Sequence, residues 1–313
     1  MRGWWRDLSD LVLPAECGGC GRPRTVLCPE CRTALGGAAP CRVRPVPEPP
    51  GLPFVYAAAR YGDEVRAALL AHKERGALVL SGPLGEVLAG AVRAGLGQAS
   101  WSGGGGLGTG GGAVGGAGGG DVTGEGRHWG PGAPVLLVPV PSGRGAVRAR
   151  GHDPVRRIAL AAAGELRRTG TPARVAAVLR QRRAVADQSG LTSRQRLDNV
   201  AGALAVASGG ARLLEGGPVV LVDDLMTTGA SLTEAARAVR EARADAVRGA
   251  AGGGAGRGRR GDGARDERVS VVYGSGTRER TGARIAVPKE GGVDVICAAV
   301  IAATPDSFEM NRN

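Results

Sequence analysis

The chain has 313 residues, long enough to bury a sizeable core in one large domain or two smaller ones. Its 41 Lys and Arg against 29 Asp and Glu leave a formal charge of +12, which favours anionic partners: nucleic acid, phosphorylated metabolites or an anionic membrane surface. No stretch reaches the roughly 18 uncharged apolar residues of a membrane span, and Asp7 and Asp10 interrupt the run a secretory signal would need, so a cytoplasmic location with reduced or metal-bound cysteines is expected.

In chain order, the first predicted element is a short helix carrying Trp4, Trp5, Leu8, Leu11 and Val12 at helical spacing. Cys17-x-x-Cys20 and Cys28-x-x-Cys31 then form two knuckles with the spacing of a tetrahedral zinc site. Four thiolates close such a site and leave it structural. Residues 1–41 are therefore read as an N-terminal helix and zinc module, with Cys41 outside the paired pattern. The metal would supply folding energy that so few apolar residues cannot. Residues 40–53 are Pro-rich and read as a linker.

A second domain is predicted over 54–313. It begins with a strand at 54–59, a helix presenting Val65, Ala68, Leu69 and His72 on one face, and a helix at 83–96. Residues 97–132 are too Gly-rich to offset the entropy of ordering and are expected to be a disordered loop. Next come a strand in "APVLLVPVP", an Arg-rich turn over 138–153, a helix near 153–168 and a strand in "ARVAAVL". An Arg-rich loop over 180–204, a strand in "GPVVLVDD" and a helix from Ser231 follow. Strands alternating with helices predict an α/β domain with a parallel sheet. The pattern breaks after Ala244. Residues 244–292 read as an insertion in a crossover, with a hairpin around 269–287, before "VDVICAAVIA" supplies a last strand with Cys297 in the core.

Val219 to Val222 have the continuous apolar character of a strand buried on both faces. Asp223 and Asp224 therefore arrive at its carboxyl end, the edge where open α/β sheets place ligands. Gly229 allows close backbone approach, Thr227, Thr228 and Ser231 add hydroxyl donors, and the following helix offers unpaired N–H groups. Together they suit one phosphate monoester, while two adjacent carboxylates suit a vicinal diol. A sugar with a 5′-phosphate and free 2′ and 3′ hydroxyls satisfies both halves. A Walker B strand would need a GxxxxGK[ST] loop, which the chain lacks.

The stretch "VVLVDDLMTTGAS" resembles the phosphoribosyl-diphosphate (PRPP) loop of type I phosphoribosyltransferases. Taken with "CGGC", "CPEC", "YGDEVRAALLAHKERG", "VPVPSGRGAVRARG" and "DQSGLTSRQRLDNVAGAL", the chain is similar to the ComF family, the competence-protein-F group. The resemblance implies a type I phosphoribosyltransferase-like parallel sheet flanked by helices, with a small N-terminal zinc-knuckle module. It implies that Asp223 and Asp224 hold the ribose hydroxyls, that Leu225 to Ser231 (Thr227, Thr228, Gly229, Ala230 and Ser231 among them) hold the 5′-phosphate, and that Mg²⁺ rides on the diphosphate. Pyrophosphate would be displaced from ribose C1 by an unidentified base or amine. Basic groups are then required around the leaving diphosphate. Two Arg-rich segments qualify: Arg144, Arg148 and Arg150 in the first, and Arg182, Arg183, Arg194 and Arg196 in the second, which suits a mobile lid.

The chain departs from the family where an aromatic residue, Asn and Gln commonly follow Arg150 and Gly151. Here stand His152, Asp153 and Pro154, with His152 expected to cap or pack at a helix start. Two other function classes compete: a non-catalytic PRPP or nucleotide sensor, and a DNA-uptake accessory binding single-stranded DNA or DNA-processing proteins. The Arg-rich segments contain no aromatic residues for base stacking, which weighs against the last. A homodimer is kept among the partner options.

Overall fold

The computed structural model describes residues 16–102, 132–185, 190, 192–252, 270–272 and 295–311. The N-terminal helix, most of the Gly-rich segment and most of the expected hairpin lie outside these residues. The described elements, in chain order, begin with α1 (Pro29–Gly36), β1 (Cys41–Val43), β2 (Val55–Arg60), α2 (Asp63–Lys73), α3 (Ser81–Ser102) and β3 (Val135–Pro139). Then follow α4 (Arg144–Arg150), α5 (Pro154–Arg168), β4 (Ala173–Ala177), β5 (Leu179–Gln181), α6 (Ser193–Val200), β6 (Leu204–Val206) and α7 (Gly210–Leu214). The chain closes with β7 (Val219–Met226), α8 (Ala230–Gly252), β8 (Ser270–Val272), β9 (Val295–Ala303) and a 3₁₀ segment at Pro305–Asn311.

Seven strands form one sheet in the order β1-β2-β9-β7-β3-β4-β8. The inner five run parallel, as the pairings Val55 with Ala298, Val222 with Ala299, Leu136 with Val219 and Val135 with Ala173 specify. The edges β1 and β8 are antiparallel. Strand period 2 sends alternate residues to two cores. Leu137, Val220 and Val222 pack beneath α2, α3 and α5, whereas Leu136, Val219 and Leu221 pack beneath Leu232, Ala235, Ala236 and Val239 of α8. Both faces are covered, which is why the central strands carry unbroken apolar runs. Cys297 is buried in the first of these cores, as expected.

Two local devices fix the helices. Asp153 caps α5: its side chain accepts from Arg156 N at 3.2 Å and from Ser142 N at 3.3 Å, and Pro154 fills the first turn, where no N–H is needed. Gly85 lets α3 lie directly on α5, since a Cβ there would stand 2.5 Å from Ala161 Cβ and 2.8 Å from Ala162 N. No single helix among the described residues is long and apolar enough to cross a membrane.

Several boundaries differ from the sequence reading. Within the expected linker, Cys41–Val43 pair antiparallel with β2, and Arg44 N donates to Ser307 O at 3.0 Å. An edge strand tolerates flanking prolines. Helix α3 continues through residues 97–102, the first part of the expected loop, because one Gly inside a formed helix costs only about 1 kcal/mol. The Arg-rich turn over 138–153 contains α4, ended by Gly151 at φ 74°, and the 180–204 loop contains β5, α6 and the start of β6. A capping box between Thr192 and Gln195 starts α6. Helix α8 runs past Ala244 to Gly252 on Ala and Arg, both good helix formers, and β8 adds an edge strand inside the expected insertion.

Candidate functional site

Strand β7 leaves β3 before it leaves β9. Its pairing with β3 ends at Val222, where Val140 N donates to Val222 O at 2.9 Å, while Leu225 and Met226 remain paired with Ala302 and Ala303. The chain proceeds from β3 to β4 on one side and from β7 to β9 on the other. The gap between them is therefore a topological switch point, where ligands of open α/β sheets bind. Asp223 and Asp224 stand at that gap.

A cleft of about 810 Å³ opens there. One wall is Asp223, Asp224, Thr227 and Ser231; the opposite wall is the β3–α4 turn, Ser142 to Ala146, and the residues after β5, Gln181 to Val185. Gln181 Oε1 accepts from Arg144 N at 3.3 Å and so joins the two parts of that second wall. A smaller hollow of about 20 Å³ lies inside the 225–232 turn, bordered by Thr227, Thr228, Gly229, Ala230 and Ser231. Gly229 sits at φ 74°, a left-handed conformation that favours Gly, and its carbonyl accepts from Thr233 N and Oγ1 at 2.9 and 3.0 Å. The turn is thereby pinned to the first turn of α8 and lies at the N-terminal end of that helix, where the helix dipole favours an anion.

The acids differ from each other. Asp224 is buried and its Oδ2 accepts from Lys73 Nζ at 3.1 Å; Asp223 Oδ1 accepts from Asp224 N at 2.9 Å. Burial, and then the charge of Asp224, push the Asp223 carboxyl well above its ordinary range. The same Asp224 charge raises Lys73 and keeps it protonated. Lys73 is a cleft-lining side chain paired with Asp224 that the sequence alone did not single out. It lay in a correctly predicted helix, and an apolar-face count gives no signal for a contact across 151 positions.

The predicted arginines divide. Arg144, Arg182 and Arg183 line the cleft with the acids. Arg183 NH2 is also engaged with Asn199 O and Ala201 O at 2.9 and 2.8 Å, holding the carboxyl end of α6. Arg150 turns to α2, pairing with Glu74 at 2.8 Å and donating to Lys73 O at 3.2 Å. Arg148 is exposed on α4, and Arg194 and Arg196 lie on α6; none of the three borders the cleft. His152 packs beside α5 as expected, with Nδ1 3.0 Å from Arg150 O and its ring 6.2 Å from that of buried His72.

Glu234 is the second residue that sequence alone missed. It is buried on α8, accepts from Leu204 N at 2.9 Å and pairs with Arg237, which in turn donates to Leu204 O at 2.9 Å. The β5–β6 ribbon is clamped to α8 by both groups of one backbone residue. Burial raises Glu234, but bonds from Arg237 and the backbone of Leu204 outweigh it and hold its carboxyl below the usual range.

At the N-terminal end, one ligand atom from each of Cys17, Cys20, Cys28 and Cys31 lies within 4.8 Å of the others. Four sulfurs placed tetrahedrally about 2.3 Å from one zinc would stand about 3.8 Å apart, so the donor set fits that ion. No disulfide joins the cysteines among the described residues. Burial pushes the Cys17 thiol up, but N–H groups of Cys28, Cys20 and Gly19 outweigh it and bring it to about 6, while burial and the neighbouring thiols push Cys31 up. The cluster is not a detached knuckle. Cys17, Leu27, Cys28, Cys31 and Leu35 belong to the same apolar core as Leu80, Leu84 and Leu88.

No family model matches the chain, and no curated protein matches it. The site's chemistry therefore stands on its own groups. It offers a glycine-bearing turn at a helix N-terminus, a carboxylate pair at a switch point, and arginines among the residues that line the same cleft.

Proposed function

We propose that the chain is a PRPP-binding phosphoribosyltransferase of the ComF type, built on a type I phosphoribosyltransferase-like sheet and working in the cytoplasm. The observation that carries this reading is the joint placement of Asp223, Asp224, Thr227 and Ser231 on one wall of a single cleft, with Arg144 and Arg182 on the other. A ribose 5-phosphate unit fits the first wall. Its phosphate takes the 227–231 turn, and its hydroxyls donate to the carboxylates. Its C1 then faces the arginine wall, where a diphosphate would lie.

The reaction breaks the bond between C1 and the diphosphate oxygen, which leaves with the electron pair. An acceptor nitrogen forms the new bond to C1 and gives up a proton. Arg144 and Arg182 stabilise the charge gathering on the departing diphosphate, and the carboxylates hold the sugar in position. Magnesium, were it bound on the diphosphate, would supply further neutralisation of its charge. The four cysteines hold a structural zinc.

Calorimetric titration with PRPP and Mg²⁺, followed by a pyrophosphate-release assay over nucleobases and amines, tests the reading. Binding with release is expected. Binding without release would turn the proposal into a ligand sensor, and absence of binding would overturn it.

A further inference from the structure

Lys73 ends α2, where a basic side chain ordinarily does no more than offset the helix dipole. Its position here goes further. It borders both the 810 Å³ cleft and an adjoining cavity of about 380 Å³ that is walled by Ser142, Gly143, Ala146 and Arg150. The ammonium stands between the acid pair and the β3–α4 turn. Arg150 fixes the end of α2 there by gripping Lys73 O and Glu74.

We infer that Lys73 is a binding residue for the diphosphate arm of the ligand, an inference that rests on the proposed PRPP site. Without ligand it serves as counter-ion to Asp224 at 3.1 Å. When sugar hydroxyls donate to Asp224, that carboxylate no longer depends on Lys73 alone, and the ammonium keeps donors to offer elsewhere. An anion extending from the acids toward Ser142 and Arg144 passes directly beside it. Lys73 thus resolves a conflict built into the site: the charge on Asp224, one of the acids that hold the sugar, would otherwise repel the group it must release. Its protonated state, maintained by Asp224, supplies that compensation.

The test compares PRPP with ribose 5-phosphate, which has the same sugar and phosphate but no diphosphate, on the full chain. Lys73→Met is expected to raise the ratio of the PRPP Kd to the ribose 5-phosphate Kd by about ten- to hundredfold, the loss of one charge-assisted hydrogen bond. Lys73→Arg, which keeps the charge, is expected to recover most of that ratio. If wild-type protein binds neither ligand, the PRPP site falls and Lys73 with it. If wild-type binds both, and Lys73→Met weakens them equally or leaves both unchanged, the role of Lys73 alone is overturned. Thermal melts of both variants confirm that a change in ratio is read on folded protein.

Discussion

Stripping metal from the four-cysteine cluster should destabilise the whole α/β domain, because cluster and sheet share one core. Leu27 is 5% exposed and Leu35 fully buried, both packed in the cluster that contains Leu80, Leu84 and Leu88. Burying a Leu side chain contributes about 1.5–3 kcal/mol, so releasing these two costs roughly 3–6 kcal/mol. Domain stabilities are about 5–15 kcal/mol, which makes this a large fraction of the total. At roughly 2–4 °C per kcal/mol for a domain of this size, the melting temperature should fall by roughly 6–24 °C. The assay is a thermal melt of the purified protein with and without a strong chelator, with metal content measured on the same sample; about one zinc per chain is expected. Cys28→Ser, at the buried centre of the cluster, should reproduce the shift without chelator. A metal-free sample that melts at the same temperature would refute the argument, as would a melt in which only a small N-terminal transition moves.

Two further outcomes follow from the acids and from a buried histidine. Asp223→Asn with Asp224→Asn should weaken PRPP by roughly two to three orders of magnitude, as both acceptors for the sugar hydroxyls lose their carboxylate character, and should lower the melting temperature as Lys73 loses its buried partner; titration well below the melting temperature reads the first effect on folded protein, and unchanged affinity sinks the assignment. Burial lowers His72, whose Nδ1 and Nε2 lie 3.3 and 3.4 Å from Ala77 O and Pro154 O. A base with its folded value below its unfolded one makes stability fall as pH drops below the unfolded value of about 6.5. Urea midpoints between about pH 5 and 7 should therefore decline more steeply with acid in the wild type than in His72→Gln, and parallel slopes would exclude His72 as the source.

Much of this was legible because the physics is local or periodic. Val219 to Val222 read as a doubly buried strand because each face of the sheet is covered by helices, and the Cys spacing read as a metal cluster because short turns alone bring such pairs together. The three-residue strand at Cys41 was not legible, since it owes its existence to pairing with β2 rather than to its own pattern. Nor was the length of α8, where Ala and Arg continue a helix across a boundary drawn from glycine content. Lys73 and Glu234 were hidden for a deeper reason. Their partners lie 151 and 30 positions away, and a charged residue on a helix carries no mark of whether it faces water or a distant carboxylate.

The arginines show the same limit from the other side. As sequence, Arg144, Arg148, Arg150, Arg182, Arg183, Arg194 and Arg196 are equivalent positive charges; the fold gives them different work. Arg150 fastens α4 to α2, and Arg183 fastens the segment after β5 to the end of α6. Arg144 and Arg182 line the cleft, with Arg144 joined through its backbone to Gln181 and Arg182 through its backbone to Ala203. Each is thus carried at the cleft on a backbone fixed by other contacts. A charged group contributes most to a developing charge when its support is already in place before the reaction. Glu234 completes that support, because clamping Leu204 to α8 holds the ribbon that leads into Arg182 against the helix that follows the Thr227–Gly229 turn. The two halves of the site are therefore mechanically one. A change at Glu234 should reach the arginine wall without touching any group that faces the ligand.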